Sequence, residues 1–406
     1  MTGEAPKPRR RAMSKTDTPA PRNLVVLLDG TGNELGRNLS NVLKLFRIVR
    51  KNEEQLVYYD PGVGTIGEPG AWRRLRQNVR KVLGLMTGWG LDDNVLEAYS
   101  WLCRTWREGD RIWLFGFSRG AWTARVLGGL IHMIGLLRPE QLNMCGYAMV
   151  AYKKASEQDD LSIAWHFARV SAARRAPIHF VGVWDTVASV IVPRWDRLIP
   201  SLETLPYTEQ NPSVRTFRHA LAIDERRRMF RASRWKPGQK FVENPFSTRA
   251  KLDQDAVEMW FAGVHSDIGG GFREEESALS KFPLVWMVDE AKAHGLLVDT
   301  AMFNHLAQGR ERKGSSHRYV PPDAAAQQHE SLTLPWWILE ILPKAAKLRE
   351  TRRRSLAGLY VPAGERRMIA QDDQVHPSVS ARLTARADYR PPNLPAGKAA
   401  KQDRRQ

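Results

Sequence analysis

Cysteine is nearly absent: two residues, Cys103 and Cys145, in a chain of 406. Two lone thiols make neither a disulfide framework nor a metal-ligand spacing, so both read as small buried apolar residues. No apolar run reaches the roughly 18 residues that a membrane-crossing helix needs. The first residues lack the apolar stretch of a secretory leader. The expected location is therefore cytoplasmic, with signal-independent secretion as the alternative. Acidic residues are also scarce: 44 Asp and Glu face 62 Lys and Arg, a net charge of +18. Such a balance favours anionic partners such as lipid surfaces, nucleic acid or acidic proteins. No nucleic-acid-binding motif is recognisable, and no specific nucleic-acid partner is expected.

What is present points to a folded core. Hydrophobic residues make up 42% of the chain, with 14 tryptophans, and a chain this long can bury a large interior as one unit. Residues 1–22, rich in Pro, Arg, Thr and Lys, read as a disordered basic tail, and 388–406 as a second tail. Between them, 23–387 reads as one domain with insertions near 62–91 and 186–216. Residues 23–28 form a continuous apolar run, as in a strand covered on both faces. A Gly-rich turn follows at 29–33. Helical spacing over 41–49, a strand over 55–59 and a helix over 92–106 come next. Further strands are expected at 111–115, 178–184, 218–223 and 259–264. This alternation predicts an α/β fold with a mainly parallel sheet flanked by helices.

The most informative stretch is Gly116-Phe117-Ser118-Arg119-Gly120, between the strand at 111–115 and a helical run from Ala121. It is G-x-S-x-G in the strand–turn–helix setting of a nucleophile elbow. Glycines flank the serine because strand and helix meet too closely for a Cβ. The turn would place the Ser118 hydroxyl at a helix N-terminus, where unpaired N–H groups favour an oxyanion. A nucleophilic serine needs a base, and the base needs a carboxylate. His265 ends an apolar strand before a Gly-rich loop and is the preferred base, with His376 as alternate. Asp185 ends the strand at 178–184 and is the preferred carboxylate, with Asp224, at the end of the next strand, as alternate. Asp267 reads as a brace for the loop, and His219, inside a strand, as a core residue. The order Ser, Asp, His along the chain is that of α/β-hydrolases.

Oxyanion donors are expected from the backbone N–H of Arg119 and from the loop Asp29, Gly30, Thr31, which ends the first strand. That loop has neither the G-x-x-x-x-G-K-[ST] nor the G-x-G-x-x-G pattern, so no nucleotide site is expected. Asp29 could hold the loop by hydrogen bonds or bind a cation. No metal and no cofactor are assigned.

Several stretches together resemble a known family. They are residues 28–33, 116–121, 182–187, 219–227 and 260–271, with weaker matches at Trp286, Met287 and 376–379. The chain resembles the α/β-hydrolase domain that also forms the catalytic part of type VI secretion phospholipase effectors. The resemblance implies an α/β-hydrolase-like fold with helical insertions, Ser118 as nucleophile, and ester hydrolysis with phospholipid among the substrates.

Two stretches bear on membrane contact. Trp72, Leu75, Val79, Val82 and Leu83 share one face of a basic helical segment, which reads first as a helix on the sheet and second as a lipid-surface helix. The apolar stretch 332–342 is too short to span a bilayer. Core packing is its first reading, with a cover for the site mouth or an interfacial anchor as alternatives. The expected function is a serine hydrolase of a carboxylic ester, with an ester or lipid substrate and peripheral membrane contact. The alternative is a non-catalytic scaffold binding anionic surfaces through its basic charge.

Overall fold

The computed structural model describes residues 20–30, 38–62, 91–157, 160–187, 191–192, 201–202, 205–243, 251–345, 349–350 and 355–397. Among them runs a seven-stranded sheet. Its strands are β1 (Asn23–Leu28), β2 (Gln55–Asp60), β3 (Arg111–Phe117), β4 (Ile178–Trp184), β5 (Val214–Ala222), β6 (Asp255–Phe261) and β7 (Gln374–Val375). The order across the sheet is β2-β1-β3-β4-β5-β6-β7, and every neighbouring pair is parallel. Parallel neighbours require crossover connections, which is why helices alternate with strands along the chain.

The pleat explains the sequence pattern. Leu24, Val26 and Leu28 of β1 pack into one apolar cluster, and Val25 and Leu27 into another. Successive side chains of a strand point to opposite faces, so a strand covered on both faces must be apolar throughout. The first cluster is covered by α2 (Leu91–Thr105), α3 (Arg119–Ile134) and α4 (Cys145–Glu157). The second lies under α1 (Asn41–Ile48), α7 (Ala278–Ala293) and α8 (Thr300–Leu306). Between α4 and α7 the chain adds α5 (Ser162–Val170) and the short α6 (His265–Gly269). Later come α9 (Leu334–Glu340) and α10 (Pro377–Ala385). No described helix is long and apolar enough to cross a membrane.

Three expectations shift. β6 spans Asp255–Phe261 rather than 259–264, because Asp255 and Glu258 break its apolar pattern and Val264 already caps α6. β5 begins at Val214, ahead of the expected 218, because Arg215 and Arg218 interrupt the apolar pattern. The segment 388–397, expected as tail from its Pro and charge content, is packed onto the domain. Tyr389 is buried and donates its hydroxyl to Asp224 at 2.9 Å. Asn393 donates to the carbonyls of Ile223 and Arg367. The basic segment 72–83 lies outside the described residues.

The strand order reverses direction at β1: β2 is added on one side and β3 on the other. Open α/β sheets bind ligands beyond the strand C-termini at such a switch point. Ser118 directly follows β3 there, and Asp29 directly follows β1.

Candidate active site

Ser118 stands between β3 and α3 with φ 57° and ψ −119°. A residue bearing a Cβ rarely adopts this conformation, which costs about 1–3 kcal/mol when the surroundings impose it. The surroundings do impose it. A Cβ on Gly116 would lie 2.4 Å from the Gly120 carbonyl oxygen, and one on Gly120 would lie 2.1 Å from that of Leu28. Only glycine lets β1, the turn and the first turn of α3 come this close. The Ser118 N–H donates to the Trp184 carbonyl at 3.1 Å, tying the turn to β4. Ser118 is half-buried, while all of α3 behind it is buried.

His265 lies at the first position of α6, just past β6. Its Nε2 is 2.8 Å from the Ser118 hydroxyl, and its Nδ1 is 2.6 Å from Asp185 Oδ2. The imidazole is packed between the rings of Phe117 and Phe230, with centroids 4.7 and 4.8 Å away. Its backbone N–H donates to Glu225 Oε2 at 3.2 Å. Asp185, just past β4, also has a positive φ of 40°. Its own N–H bonds to the Ala220 carbonyl, and its Oδ1 accepts from the Ala222 N–H at 3.0 Å.

A residue absent from the sequence-based expectations completes the cluster. Arg367 is buried and donates Nη1 to Asp185 Oδ1 at 2.5 Å and Nη2 to Oδ2 at 3.0 Å. It also donates to the carbonyls of Ala222 and Phe230. Burial pushes the Asp185 pKa up, but the Arg367 charge and the His265 hydrogen bond outweigh it and hold the carboxyl well below its usual range. Burial pulls the His265 pKa below 6.5, against the opposing pull of Asp185. A buried imidazole of this kind rests neutral and can accept a proton.

The alternates lie elsewhere. Asp224 accepts from the Gly263 N–H at 2.8 Å and from Tyr389. Burial pushes its pKa up to about 6. His376 caps α10, with Nδ1 2.9 Å from the Ser378 hydroxyl, and its ring stacks on Phe261. Burial lowers its pKa to about 4. A two-residue strand, β7, precedes it. Neither alternate is bonded to the Ser118–His265–Asp185 set. Asp267 accepts from the Val264 N–H and pairs with His329 at 2.7 Å.

The loop after β1 reaches the serine. A Cβ on Gly30 would lie 3.4 Å from Ser118 Cβ. The Gly30 N–H itself donates to Asp29 Oδ1 at 2.7 Å. Asp29 Oδ2 accepts from Ser40 and, at 3.0 Å, from Tyr59. Asp29 thus fastens the loop to α1 and β2 by hydrogen bonds. Thr31 lies outside the described residues. Among the described residues no group of three or more His, Cys, Asp or Glu could hold a metal ion.

The stretch 332–342 only partly packs inward. Leu332 is buried. Trp336 of α9 meets Phe230 edge-on at 5.4 Å, one ring removed from His265. The opposite face of α9 is exposed.

A family model for the catalytic domain of Tle1-like type VI secretion phospholipase effectors matches residues 22–290. An uncharacterised protein of Saccharomyces cerevisiae is 24% identical over 557 residues, spanning 92% of this chain and 80% of its own. Among solved structures, an uncharacterised protein from Pseudomonas aeruginosa aligns with a TM-score of 0.36 and 16% identity, over 69% of this chain and 46% of that one. The Tle1 effector bound to the VgrG spike of the type VI secretion system aligns with a TM-score of 0.33 and 18% identity, over 66% and 57%. The chain therefore spans about half the length of these solved structures.

Proposed function

The chain belongs to the family of Tle1-like type VI secretion phospholipase effector catalytic domains, and from that premise we propose that it is a serine hydrolase cleaving a carboxylic ester of a phospholipid. One observation carries the reading: an unbroken hydrogen-bond line from the Ser118 hydroxyl through His265 to Asp185, at 2.8 and 2.6 Å. Neutral His265 accepts the Ser118 proton at Nε2 as the oxygen attacks the acyl carbonyl. The imidazolium so formed is held by Asp185 through Nδ1. Backbone N–H groups at the start of α3, that of Arg119 first, receive the oxyanion. His265 then gives its proton to the leaving alcohol. Water, deprotonated by the same imidazole, releases the acyl group from Ser118.

The test compares the purified protein with its Ser118→Ala variant on phospholipid micelles and on a soluble short-chain ester. Turnover is expected to fall on the order of a million-fold, and labelling by a fluorophosphonate to vanish, with the circular dichroism spectrum unchanged. Undiminished turnover in the variant would end the serine-hydrolase reading.

A further inference from the structure

The exposed apolar side chains are not scattered evenly. Of the fourteen large ones among the described residues, nine fall within 334–368. Five belong to α9 and the two residues after it. Leu334, Ile338 and Ile341 are 81%, 62% and 59% exposed, and their spacing of four and three puts them on one helical face. Trp337 and Leu342 flank them. A face of this kind normally lies against a core or a partner. Here the inward side of the same helix is already engaged. Trp336 packs on Phe230, and Phe230 on His265. Glu340 is fully buried, accepting from the Arg228 and Gly364 N–H groups at 2.6 and 3.3 Å. The helix is thus fixed in place with its apolar side turned out.

Cations flank this face. The Arg226 guanidinium lies 5.9 Å from the Trp337 ring centre, whereas that of Arg227 is turned inward over Phe230 and Trp336 and paired with Glu225 at 2.9 Å. Lys344 opens the antiparallel strand pair that follows the helix, Lys344–Ala345 with Leu359–Tyr360, and Arg349 is exposed.

We propose that α9 and the strand pair after it form the surface by which this protein seats on an anionic phospholipid bilayer. This rests on the ester-hydrolase reading for its purpose. Apolar side chains entering the acyl boundary and lysines and arginines at the headgroups are two separate attractions, and stable peripheral binding takes two. The apolar face explains burial in lipid, and the cations explain a preference for anionic headgroups. Two aromatic rings, Trp336 and Phe230, link the inward side of the helix to the catalytic imidazole.

The experiment uses the full chain carrying Ser118→Ala, so that lipid is bound but not consumed. It measures flotation with vesicles of phosphatidylcholine alone and of equal parts phosphatidylcholine and phosphatidylglycerol. Strong flotation is expected only with the mixed vesicles, weakening as salt rises. Adding Leu334→Asp, Ile338→Asp and Ile341→Asp together lowers partitioning by about a hundredfold or more. Aspartates at Trp165 and Val170, exposed apolar positions on α5, leave it unchanged. Undiminished partitioning of the α9 variant, or an equal loss in the α5 variant, overturns the proposal. So does a dimer in solution that the α9 aspartates dissociate without any effect on vesicles, because the face would then belong to a second copy. In the Ser118 protein, the α9 variant is expected to lose turnover on vesicles while turnover of a soluble short-chain ester persists. If no ester is turned over at all but flotation still depends on α9, the docking surface stands and the hydrolase reading falls.

Discussion

Two buried histidines in this fold are held in the same way. His265 gives Nδ1 to Asp185, and Arg367 donates to both oxygens of Asp185. His219, within β5, gives Nδ1 to Glu258 at 2.8 Å, and Glu258 accepts from Arg234 at 2.6 Å. Both carboxyls are held low against burial: Asp185 well below its usual range, by Arg367 first, and Glu258 at about 2, by His219 first. Both imidazoles are pulled down by burial, His219 to about 4. The difference is at the far nitrogen. His265 Nε2 faces the hydroxyl of a half-buried serine on a positive-φ turn, whereas His219 Nε2 accepts the Thr186 N–H at 3.1 Å. A histidine–carboxylate pair is therefore not by itself a catalytic signature. What meets the second nitrogen decides its use. The pairs are also linked, since the amide that His219 holds belongs to the residue after Asp185.

Replacing each histidine by alanine separates the two roles most sharply. His265→Ala is expected to lower kcat on the order of a million-fold and to change stability little. His219→Ala strands the Thr186 N–H in the interior and leaves Glu258 Oε1 with the Trp235 N–H alone. It is expected to lower the unfolding free energy by about 2–4 kcal/mol, with a far smaller loss of turnover. Urea denaturation beside steady-state assays reads both. Equal kinetic losses would erase the distinction.

The contrast also shows what the sequence could reveal. Ser118, Asp185 and His265 each follow an apolar run that reads as a strand, and parallel strands bring such ends to one edge of the sheet. Their meeting could thus be anticipated from periodicity and chain order. Arg367 has no such frame. It lies 182 residues beyond Asp185, in irregular chain where a single buried side chain leaves no period. β7 has only two residues, too few for an alternating pattern, so the sequence offers no strand signal ahead of His376. Tyr389 and Asn393 are isolated anchors in a Pro-rich stretch whose composition resembles a tail. The outward face of α9 was visible as an apolar run. Which way it turned was not, because a seven-residue helix can bury either side.

Arg367 sharpens the comparison through pH. Because His265 is pulled below 6.5, the acid limb of kcat/KM is expected below pH 6.5, where the imidazole would otherwise be protonated. Arg367→Met removes the cation that competes with His265 for the Asp185 charge. The imidazolium is then better stabilised, the His265 pKa rises, and the acid limb moves to higher pH. Looser positioning of Asp185 should also lower kcat about tenfold to a hundredfold. Arg234→Met, on the parallel pair, is expected to leave the profile in place. A merely structural role for Arg367 would reduce the amount of active protein without moving the limb.

Asp224, just past the end of β5, is a further buried carboxylate, and it lacks both the imidazole and a close guanidinium. Its nearest cation, Arg366, is 3.9 Å away, and burial dominates, raising the pKa to about 6. The sign follows from linkage. Between the unfolded value of 3.8 and about 6, the folded chain holds this proton more tightly than the unfolded one, so stability falls as pH rises through that window. Asp224→Asn keeps an oxygen for the Gly263 N–H and the Tyr389 hydroxyl and removes the titration. The variant is expected to match the wild type near pH 4, to exceed its stability by about 1–3 kcal/mol at pH 7, and to change turnover by less than about threefold. Parallel stability curves across that range would mean that Asp224 stays ionised in the fold, and that a buried strand-end carboxylate needs no guanidinium beside it to remain so.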